Sequence, residues 1–419
     1  MRPLSAHFAS ILRQGKMLST GLVGQVASFA AMLLPLATGH LREVAFLVAV
    51  SSVAGISSFA GTWSFVSVYP SIQNEGESSV AFPTSATMLL LVSAVPPLLP
   101  IIIPQLNADL SLVLYWSPAL TVALGLNLLL TGVLIRNSNL GELTRLRLAS
   151  GLTNLLFVSA FVAFYRPGQG NLVIPTSLAL AAPTLWGLGR LVARRRDSLP
   201  PWRFSGRYLK KHYRAAGAAA LGGAAYHLLG IATPLLGVAG QAWAIALRIA
   251  GGFTTISQQV ISPFLEARLS SALRADQVGS ARRIHRHGFV LGCLYSVPCI
   301  AAVLTTIAVT GSTTDFGSAS RDWGTGGAVS ILTFSLVSTS LVTRNLVLCG
   351  GQGLFFRWAV LKLTASFVIL LSLRGQAMFL AFSLSELFAQ ILYYNLVNIA
   401  LRRREIIANR SRYQVIEEG

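Results

Sequence analysis

The sequence predicts an all-α polytopic membrane protein, with about 12 transmembrane helices in two six-helix lobes that form a parallel pseudo-repeat. Three observations lead to this prediction: an apolar composition, a series of apolar runs of membrane-spanning length, and a one-sided distribution of basic residues. Hydrophobic residues make up 53% of the 419 residues, charged residues only 11%, and the mean hydropathy is +0.63. A soluble domain carries about 25% charged residues, so most of this surface must face something other than water.

Twelve apolar segments are long enough to cross a bilayer, which takes about 20 mostly apolar residues in a helix. Six of them precede a strongly basic stretch in the middle of the chain, and six follow it. The predicted spans are 17–39, 44–70, 83–104, 108–135, 145–164, 172–194, 213–236, 238–265, 287–311, 326–350, 354–373 and 376–401.

Basic residues are concentrated in alternate loops, which sets the orientation. Of the 33 Lys and Arg residues, only Arg42, Arg166, Arg321 and Arg374 fall in loops predicted to lie outside. Cytoplasmic loops are the ones enriched in Lys and Arg, so both termini are predicted to be cytoplasmic. The resulting domain ranges are an N-terminal six-helix lobe (1–194), a cytoplasmic basic linker (195–212), a C-terminal six-helix lobe (213–401) and a cytoplasmic tail (402–419).

The linker and the two halves lead to two further predictions. The linker is expected to carry an amphipathic surface helix, with Trp202, Phe204 and Tyr208 facing lipid. A weak internal similarity aligns residues 47–55 with residues 244–252. Because each half has an even number of helices, both halves share one orientation, as in the parallel repeats of some transporters.

Sequence motifs that would indicate an enzyme are absent. The chain has no GxxxxGK[ST] loop, no HExxH and no GxSxG. Its cysteines form no CxxC pair, and His285 and His287 are expected on a solvated basic face. We therefore predict no enzymatic activity, no cofactor and no metal site. The basic residues that give the net charge of +19 lie between apolar segments. This placement favours an anionic membrane surface over nucleic acid as the partner.

Polar residues inside the spans are the candidate binding residues. A charge at mid-bilayer costs at least ~2.5–3.5 kcal/mol and usually faces a cavity or a partner. Arg248 lies at the centre of the eighth span, and arginine grips phosphate or pyrophosphate with two donors. An amide can also serve as an interhelical hydrogen bond, and Glu386 can pair with a cation. The predicted substrate-binding set is Gln25, Asn127, Asn154, Arg248, Gln258, Gln259, Arg344, Lys362 and Glu386.

Six short segments have a recognisable sequence: Gly21-Leu22-Val23-Gly24-Gln25-Val26, Leu33-Leu34-Pro35-Leu36, Val44 to Ser58, Ile135-Arg136-Asn137, Thr144 to Ser150 and Gln241 to Arg248. Together with the layout of six plus six helices, they resemble the Wzx-type polysaccharide flippases of the multidrug/oligosaccharidyl-lipid/polysaccharide exporter superfamily. The usual glycine-rich turn after the first helix is replaced here by Leu41 to Phe46.

The resemblance implies a flippase in the bacterial inner membrane. Such a protein moves a polyprenyl-pyrophosphate-linked glycan from the cytoplasmic to the outer leaflet by alternating access, and here Arg248 with neighbouring amides would hold the pyrophosphate. The implied partners are this lipid-linked glycan, membrane lipids and envelope glycan assembly proteins.

Two other functions stay open at this point: a cation-coupled exporter of small amphiphilic compounds on the same fold, and a non-transporting scaffold for glycan assembly. In the predicted first six spans, Asp109 at the start of the fourth is the one Asp or Glu, and this scarcity of carboxylates argues against the cation-coupled exporter.

The predicted topology can be tested by cysteine labelling in intact cells. Cysteines introduced at Ser198 and Gly419 should react with a membrane-permeant reagent only, because the linker and the C-terminus are predicted to be cytoplasmic. A cysteine at Arg374, in a predicted outside loop, is the control that should react with an impermeant reagent. Labelling of Ser198 or Gly419 by the impermeant reagent would contradict the topology.

Overall fold

The chain folds almost entirely into α-helices. The computed structural model describes residues 19–31, 34–35, 38, 40–105, 108–166, 169–194, 203–232, 250–313 and 323–417. None of these described residues lies in a β-strand, which confirms the all-α prediction.

Each of the twelve predicted spans overlaps at least one helix of the structure. In the first half, the helices cover 19–31, Leu41–Gly61, Phe65–Val68, Glu75–Ser93, Val95–Ile102, Ala108–Arg136, Leu140–Phe164 and Val173–Arg194. In the second half, they cover Gly206–Ala232, 250–256, Ser262–Arg274, Val278–Thr313, Trp323–Ser340, Asn345–Leu348, Gln352–Ser372 and Gly375–Glu417.

Many of these helices suit a bilayer. Within the described residues, 7 helices are long and apolar enough to cross a membrane, or 8 if the bent pair Ala49–Gly61 and Phe65–Ser71 forms one span. Large apolar side chains stand exposed on them, including Ile102, Phe164 and Leu371. Such exposure is costly in water and favourable in hydrocarbon, so the chain is a multi-pass membrane protein.

Within the described residues, the second and tenth spans are each interrupted by several residues of non-helical backbone. The bend of 52° in the second span follows Gly61, where Trp63 and Ser64 adopt positive φ angles of 53° and 55°. The tenth span breaks over residues 341–344, between the helices Trp323–Ser340 and Asn345–Leu348. Irregular backbone at membrane depth is tolerated where protein buries it or where it lines a wet cavity.

The chain divides into two compact units. Unit 1 comprises Met1–Tyr69, Glu75–Tyr208 and Gln259–Phe264, and unit 2 comprises Pro70–Asn74, Leu209–Gln258 and Leu265–Gly419. The change of unit after Tyr208 falls inside the predicted 195–212 linker. The four predicted domain ranges and the parallel symmetry of the halves stay predictions.

The region predicted as a lipid-facing linker helix has a different structure. Tyr208 is only 2% exposed, so its predicted lipid-facing position is wrong, whereas Phe204 is 53% exposed as expected. The Ser205 N–H donates to Thr84 Oγ1 (3.0 Å), and the Tyr208 N–H donates to Ser205 Oγ (3.2 Å). These bonds, all between residues of unit 1, fix the first turn of the helix Gly206–Ala232 and the buried position of the Tyr208 ring. Trp202 lies outside the described residues.

Two helices of unit 1 cross at a pair of glycines. A Cβ added to Gly151 would lie 1.8 Å from the Gly24 carbonyl oxygen, and one added to Gly24 would lie 2.6 Å from the Arg147 carbonyl oxygen. Small residues at a crossing let helix backbones approach closely, which is a main source of helix association in membranes. The first and fifth spans therefore pack through their backbones.

We expect Gly151→Ala to destabilise the protein by about 1–3 kcal/mol, because the added methyl group forces the two backbones apart. The matched control is Gly189→Ala, since a Cβ there meets nothing within 4 Å. Thermal unfolding of the purified chain in detergent measures both variants. Equal midpoints for Gly151→Ala and Gly189→Ala would show that the glycine crossing is not tightly packed.

Candidate functional site

The structure describes most of the predicted substrate-binding residues, but not Arg248, which lies outside the described residues. Gln259 lies in the π-helical turn Ser257–Ile261, next to the half-buried Gln258. Gln25, Asn127 and Asn154 belong to unit 1, and Gln258, Arg344, Lys362 and Glu386 belong to unit 2. The structure pairs Lys362 with Glu386, and it gives Arg344 a partner that is not in the predicted set.

The amides of unit 1 have different surroundings. Asn127 Nδ2 donates to Thr184 Oγ1 (3.1 Å), so this amide joins the helices Ala108–Arg136 and Val173–Arg194, as the interhelical alternative predicted. Gln25 is 6% exposed, on the helix 19–31. Asn154 is half-buried, and its Oδ1 atom accepts no hydrogen bond within the described part of the chain.

A buried ion pair joins the last two helices of unit 2. Lys362 Nζ lies 2.9 Å from Glu386 Oε2, and the two side chains are 7% and 3% exposed. The ammonium also lies 5.5 Å from the centroid of the Trp358 ring, whose Nε1–H donates to the Ala389 carbonyl (2.7 Å). Pairing and the cation–π contact offset part of the large cost of removing both charges from water.

A second ion pair lies beside the break in the tenth span. Arg344 Nη1 donates to both carboxylate oxygens of Glu266, at 3.0 and 3.3 Å, and the Glu266 side chain is only 2% exposed. Tyr393 Oη donates to the Thr343 carbonyl (2.6 Å) and accepts from the Leu346 N–H (3.2 Å). The Tyr393 hydroxyl thus satisfies two backbone groups that the break leaves outside the helix.

His285 is a buried polar group that the sequence interpretation missed. His285 and His287 were both expected on a solvated face, but only His287 is exposed, and His285 is 0% exposed. Its Nδ1 accepts a hydrogen bond from Asn345 Nδ2 (3.0 Å), and its ring stacks on Tyr394 with centroids 4.9 Å apart. A histidine in a basic stretch gives no sequence signal of burial, because its two partners lie on two other helices, Asn345–Leu348 and Gly375–Glu417.

Unit 1 also holds a buried carboxylate that lies outside the predicted bounds of the first six spans. The helix Leu41–Gly61 starts earlier than the predicted span and includes Glu43 in its first turn. Glu43 is 6% exposed. The argument against cation coupling from the scarcity of carboxylates is therefore weakened.

The two buried ion pairs described above, Lys362–Glu386 and Arg344–Glu266, could both open in the same two ways. Each pair is neutral overall while it is closed, which lets it persist in a low-dielectric interior. Protonation of the carboxylate, or insertion of an anion at the cation, would open the pair. Glu266 and Glu386 are therefore candidate proton-binding groups, and Arg344 and Lys362 are candidate anion-binding groups.

Comparison with known proteins identifies the fold. No protein-family model matches the chain, and no curated protein sequence matches it. A MOP superfamily transporter from Pyrococcus furiosus is 12% identical, with a TM-score of 0.68 over 94% of this chain and 96% of that chain. The Vibrio cholerae MATE transporter VcmN in the bent form is 15% identical, with a TM-score of 0.61 over 95% and 98%.

A third solved structure extends the likeness to eukaryotes. The eukaryotic MATE transporter AtDTX14 is 17% identical, with a TM-score of 0.61 over 94% of this chain and 99% of that chain. These likenesses confirm the predicted fold class, an all-α membrane protein with the MATE architecture of 12 transmembrane helices in two lobes. At such low identity, these likenesses are evidence for the fold alone.

The Lys362–Glu386 pair can be tested by removing one charge and then both. Glu386→Gln should lower the free energy of unfolding by about 3–5 kcal/mol, because it leaves the Lys362 ammonium buried and uncompensated. Lys362→Met combined with Glu386→Gln should recover most of this loss. Thermal unfolding in detergent, at a pH where lysine is charged, measures both.

The control for this experiment is the exposed pair Arg282–Glu405, which has a similar separation of 2.7 Å but side chains 41% and 44% exposed. Glu405→Gln should cost about 0–1 kcal/mol. If Glu386→Gln cost no more than Glu405→Gln, burial would not govern the strength of the pair.

Proposed function

We propose that the chain is an alternating-access transporter of the multidrug/oligosaccharidyl-lipid/polysaccharide exporter superfamily. The observation that carries this proposal is the likeness to MATE and MOP superfamily transporters over 94% of the chain. The buried polar groups of both units support it, because ionisable residues inside a membrane usually mark a transport pathway. The bacterial inner membrane as its location, with both termini cytoplasmic, belongs to the same proposal.

The substrate we propose is a polyprenyl-pyrophosphate-linked glycan, moved from the cytoplasmic to the outer leaflet. Arg248 at the centre of the predicted eighth span is the proposed pyrophosphate-binding residue, assisted by Gln258 and Gln259, which follow it by 10 and 11 residues in the same predicted span. Outward movement of an anion from a negative interior gains about 2.3 kcal/mol per charge per 100 mV. The similar Pyrococcus furiosus transporter has a binding pocket of reverse polarity, which suggests a different function for it; pocket charge is thus variable on this fold.

A second candidate is a cation-coupled exporter of small amphiphilic compounds. The buried carboxylates Glu43, Glu266 and Glu386 favour it, because a carboxylate that is buried can bind and release a proton during a transport cycle. One of the similar structures is an outward-facing multidrug resistance MATE family transporter, with a TM-score of 0.68. For this candidate, Glu386 and its partner Lys362 form the proposed coupling site.

Transport in proteoliposomes tests the proposed substrate. The wild-type chain should accelerate the movement of a fluorescent polyprenyl-pyrophosphate glycan between leaflets. Arg248→Ala should slow it about 10–100-fold, the equivalent of one lost hydrogen bond to a charged group. Arg248→Lys should recover it only in part, because lysine keeps the charge but loses the two-donor geometry.

The control variant is Arg374→Ala, which removes an exposed arginine of the predicted outside loop and should leave transport unchanged. Full transport by Arg248→Ala would exclude this residue as the pyrophosphate-binding group. The second candidate would replace the flippase if the wild-type chain moved no lipid-linked glycan but exported a cationic dye when driven by a proton gradient. The stable double variant, Lys362→Met with Glu386→Gln, should then lose that export.

A further inference from the structure

One face of the helix Gly206–Ala232 carries four basic residues near its start. Arg207, Lys210, Lys211 and Arg214 are spaced i, i+3, i+4 and i+7, which places them on one side of a helix. All four are exposed. We call them the cationic stripe.

The opposite face of this helix is anchored in the protein, which fixes the direction of the stripe. Tyr208 and His212 are 2% and 3% exposed, and Ala215 is 0% exposed. His212 Nδ1 lies 2.8 Å from Gln352 Nε2. Because the helix cannot rotate without breaking these contacts, the cationic stripe stays exposed on the surface of the protein.

The stripe is unfavourable for the helix that carries it. Like charges three and four residues apart repel one another, and cations near a helix N-terminus oppose the helix dipole. The helix itself carries no acidic residue, since no Asp or Glu occurs between Asp197 and Glu266. Within the part of the chain that the structure describes, Arg207 and Lys210 form no ion pair. Such a local conflict is expected where a residue set serves a function.

The surroundings of the stripe indicate a membrane surface. The helix continues directly from Arg214 into the alanine- and leucine-rich segment of the predicted seventh span. Two exposed aromatic residues border the stripe, Phe204 at 53% and Tyr213 at 50% exposure. The Tyr213 hydroxyl accepts a hydrogen bond from Arg214 Nε (2.9 Å), which orients that guanidinium. Aromatic residues of this kind are enriched at the level of lipid headgroups.

We propose that the cationic stripe is a binding surface for the phosphates of anionic phospholipids in the adjoining leaflet. Four cations on one helix face match a row of phosphodiester headgroups in charge, and arginine and lysine are both established phosphate binders. A bound headgroup would relieve the repulsion within the stripe. This inference does not depend on the proposed transport function.

The experiment is a calorimetric titration of the full-length protein in a non-ionic detergent. The probe is dioctanoyl phosphatidylglycerol, with dioctanoyl phosphatidylcholine as the zwitterionic comparison. A cation near an anionic lipid surface contributes about fivefold in binding, so replacing all four residues of the stripe with glutamine should weaken phosphatidylglycerol binding by at least about 50-fold. Phosphatidylcholine should show no saturable binding.

The matched control removes the same charge elsewhere, by replacing the exposed residues Arg283, Arg286, Arg357 and Arg402 with glutamine. This control should bind phosphatidylglycerol within about threefold of wild type, apart from screening of distant charges. Equal weakening in the stripe variant and the control would overturn the proposal, because binding would then reflect diffuse charge. Equal binding of phosphatidylcholine would overturn it as well.

Two further measurements keep the proposal testable if the stripe variant does not fold. Wild-type binding should weaken steeply as salt rises from about 0.1 M to about 1 M, where the Debye length falls from about 10 Å to about 3 Å; salt-independent binding contradicts the proposal. Inorganic pyrophosphate should compete only weakly. Competition at the same concentration as phosphatidylglycerol would instead assign the stripe to free phosphate compounds.

Discussion

Hydrocarbon cannot form hydrogen bonds, so each peptide group inside a membrane must find its partner within the protein. Most of this chain meets that requirement by forming long helices. The interruptions of the second and tenth spans show which groups bond to the peptide groups there. At the break over residues 341–344, the Tyr393 hydroxyl bonds to the Thr343 carbonyl and the Leu346 N–H. At the bend after Gly61, the Thr62 hydroxyl donates to the Ser58 carbonyl (2.8 Å). The Tyr393 hydroxyl therefore replaces helical bonds that the break removes, whereas the Thr62 hydroxyl adds a second donor to a carbonyl that the Thr62 N–H already meets (2.9 Å).

Hydrocarbon also limits which charged side chains the protein can hold inside the membrane. An isolated charge in hydrocarbon is costly. In unit 2, the buried charges of Lys362 and Arg344 are neutralised by pairing with Glu386 and Glu266. Each pair carries no net charge while it is closed. When it opens, its carboxylate can bind a proton and its cation can bind an anion. Unit 1 adds the buried carboxylate Glu43. A fold that hides ionisable groups in this way can use their protonation or their ligand binding to change conformation, which is the physical basis of the proposed transport cycle.

The sequence was sufficient to predict the membrane-spanning helices, but not to predict which side chains contact one another. Hydropathy reveals the spans because a bilayer demands about 20 apolar residues regardless of the neighbours. It places Tyr208 and His285 wrongly, because an aromatic residue or a histidine in a basic stretch suits lipid, water or a protein partner equally well. The contacts of Ser205 with Thr84 and of His285 with Asn345 decide these cases, and they join residues far apart in the chain. The break at residues 341–344 has no proline or glycine to signal it.

Alternating access is the central claim, and distances between the two lobes test it most directly. After replacement of Cys293, Cys299 and Cys349, spin labels at Gly76 and Gln277 report on the predicted cytoplasmic side, and labels at Gln169 and Gln376 report on the predicted outer side. Pulsed electron spin resonance in nanodiscs then measures both distances with and without a polyprenyl-pyrophosphate glycan. Alternating access predicts that the two distances change in opposite directions when the ligand binds. Distances that both stay constant, or that change in the same direction, with this ligand and with a proton gradient would contradict it.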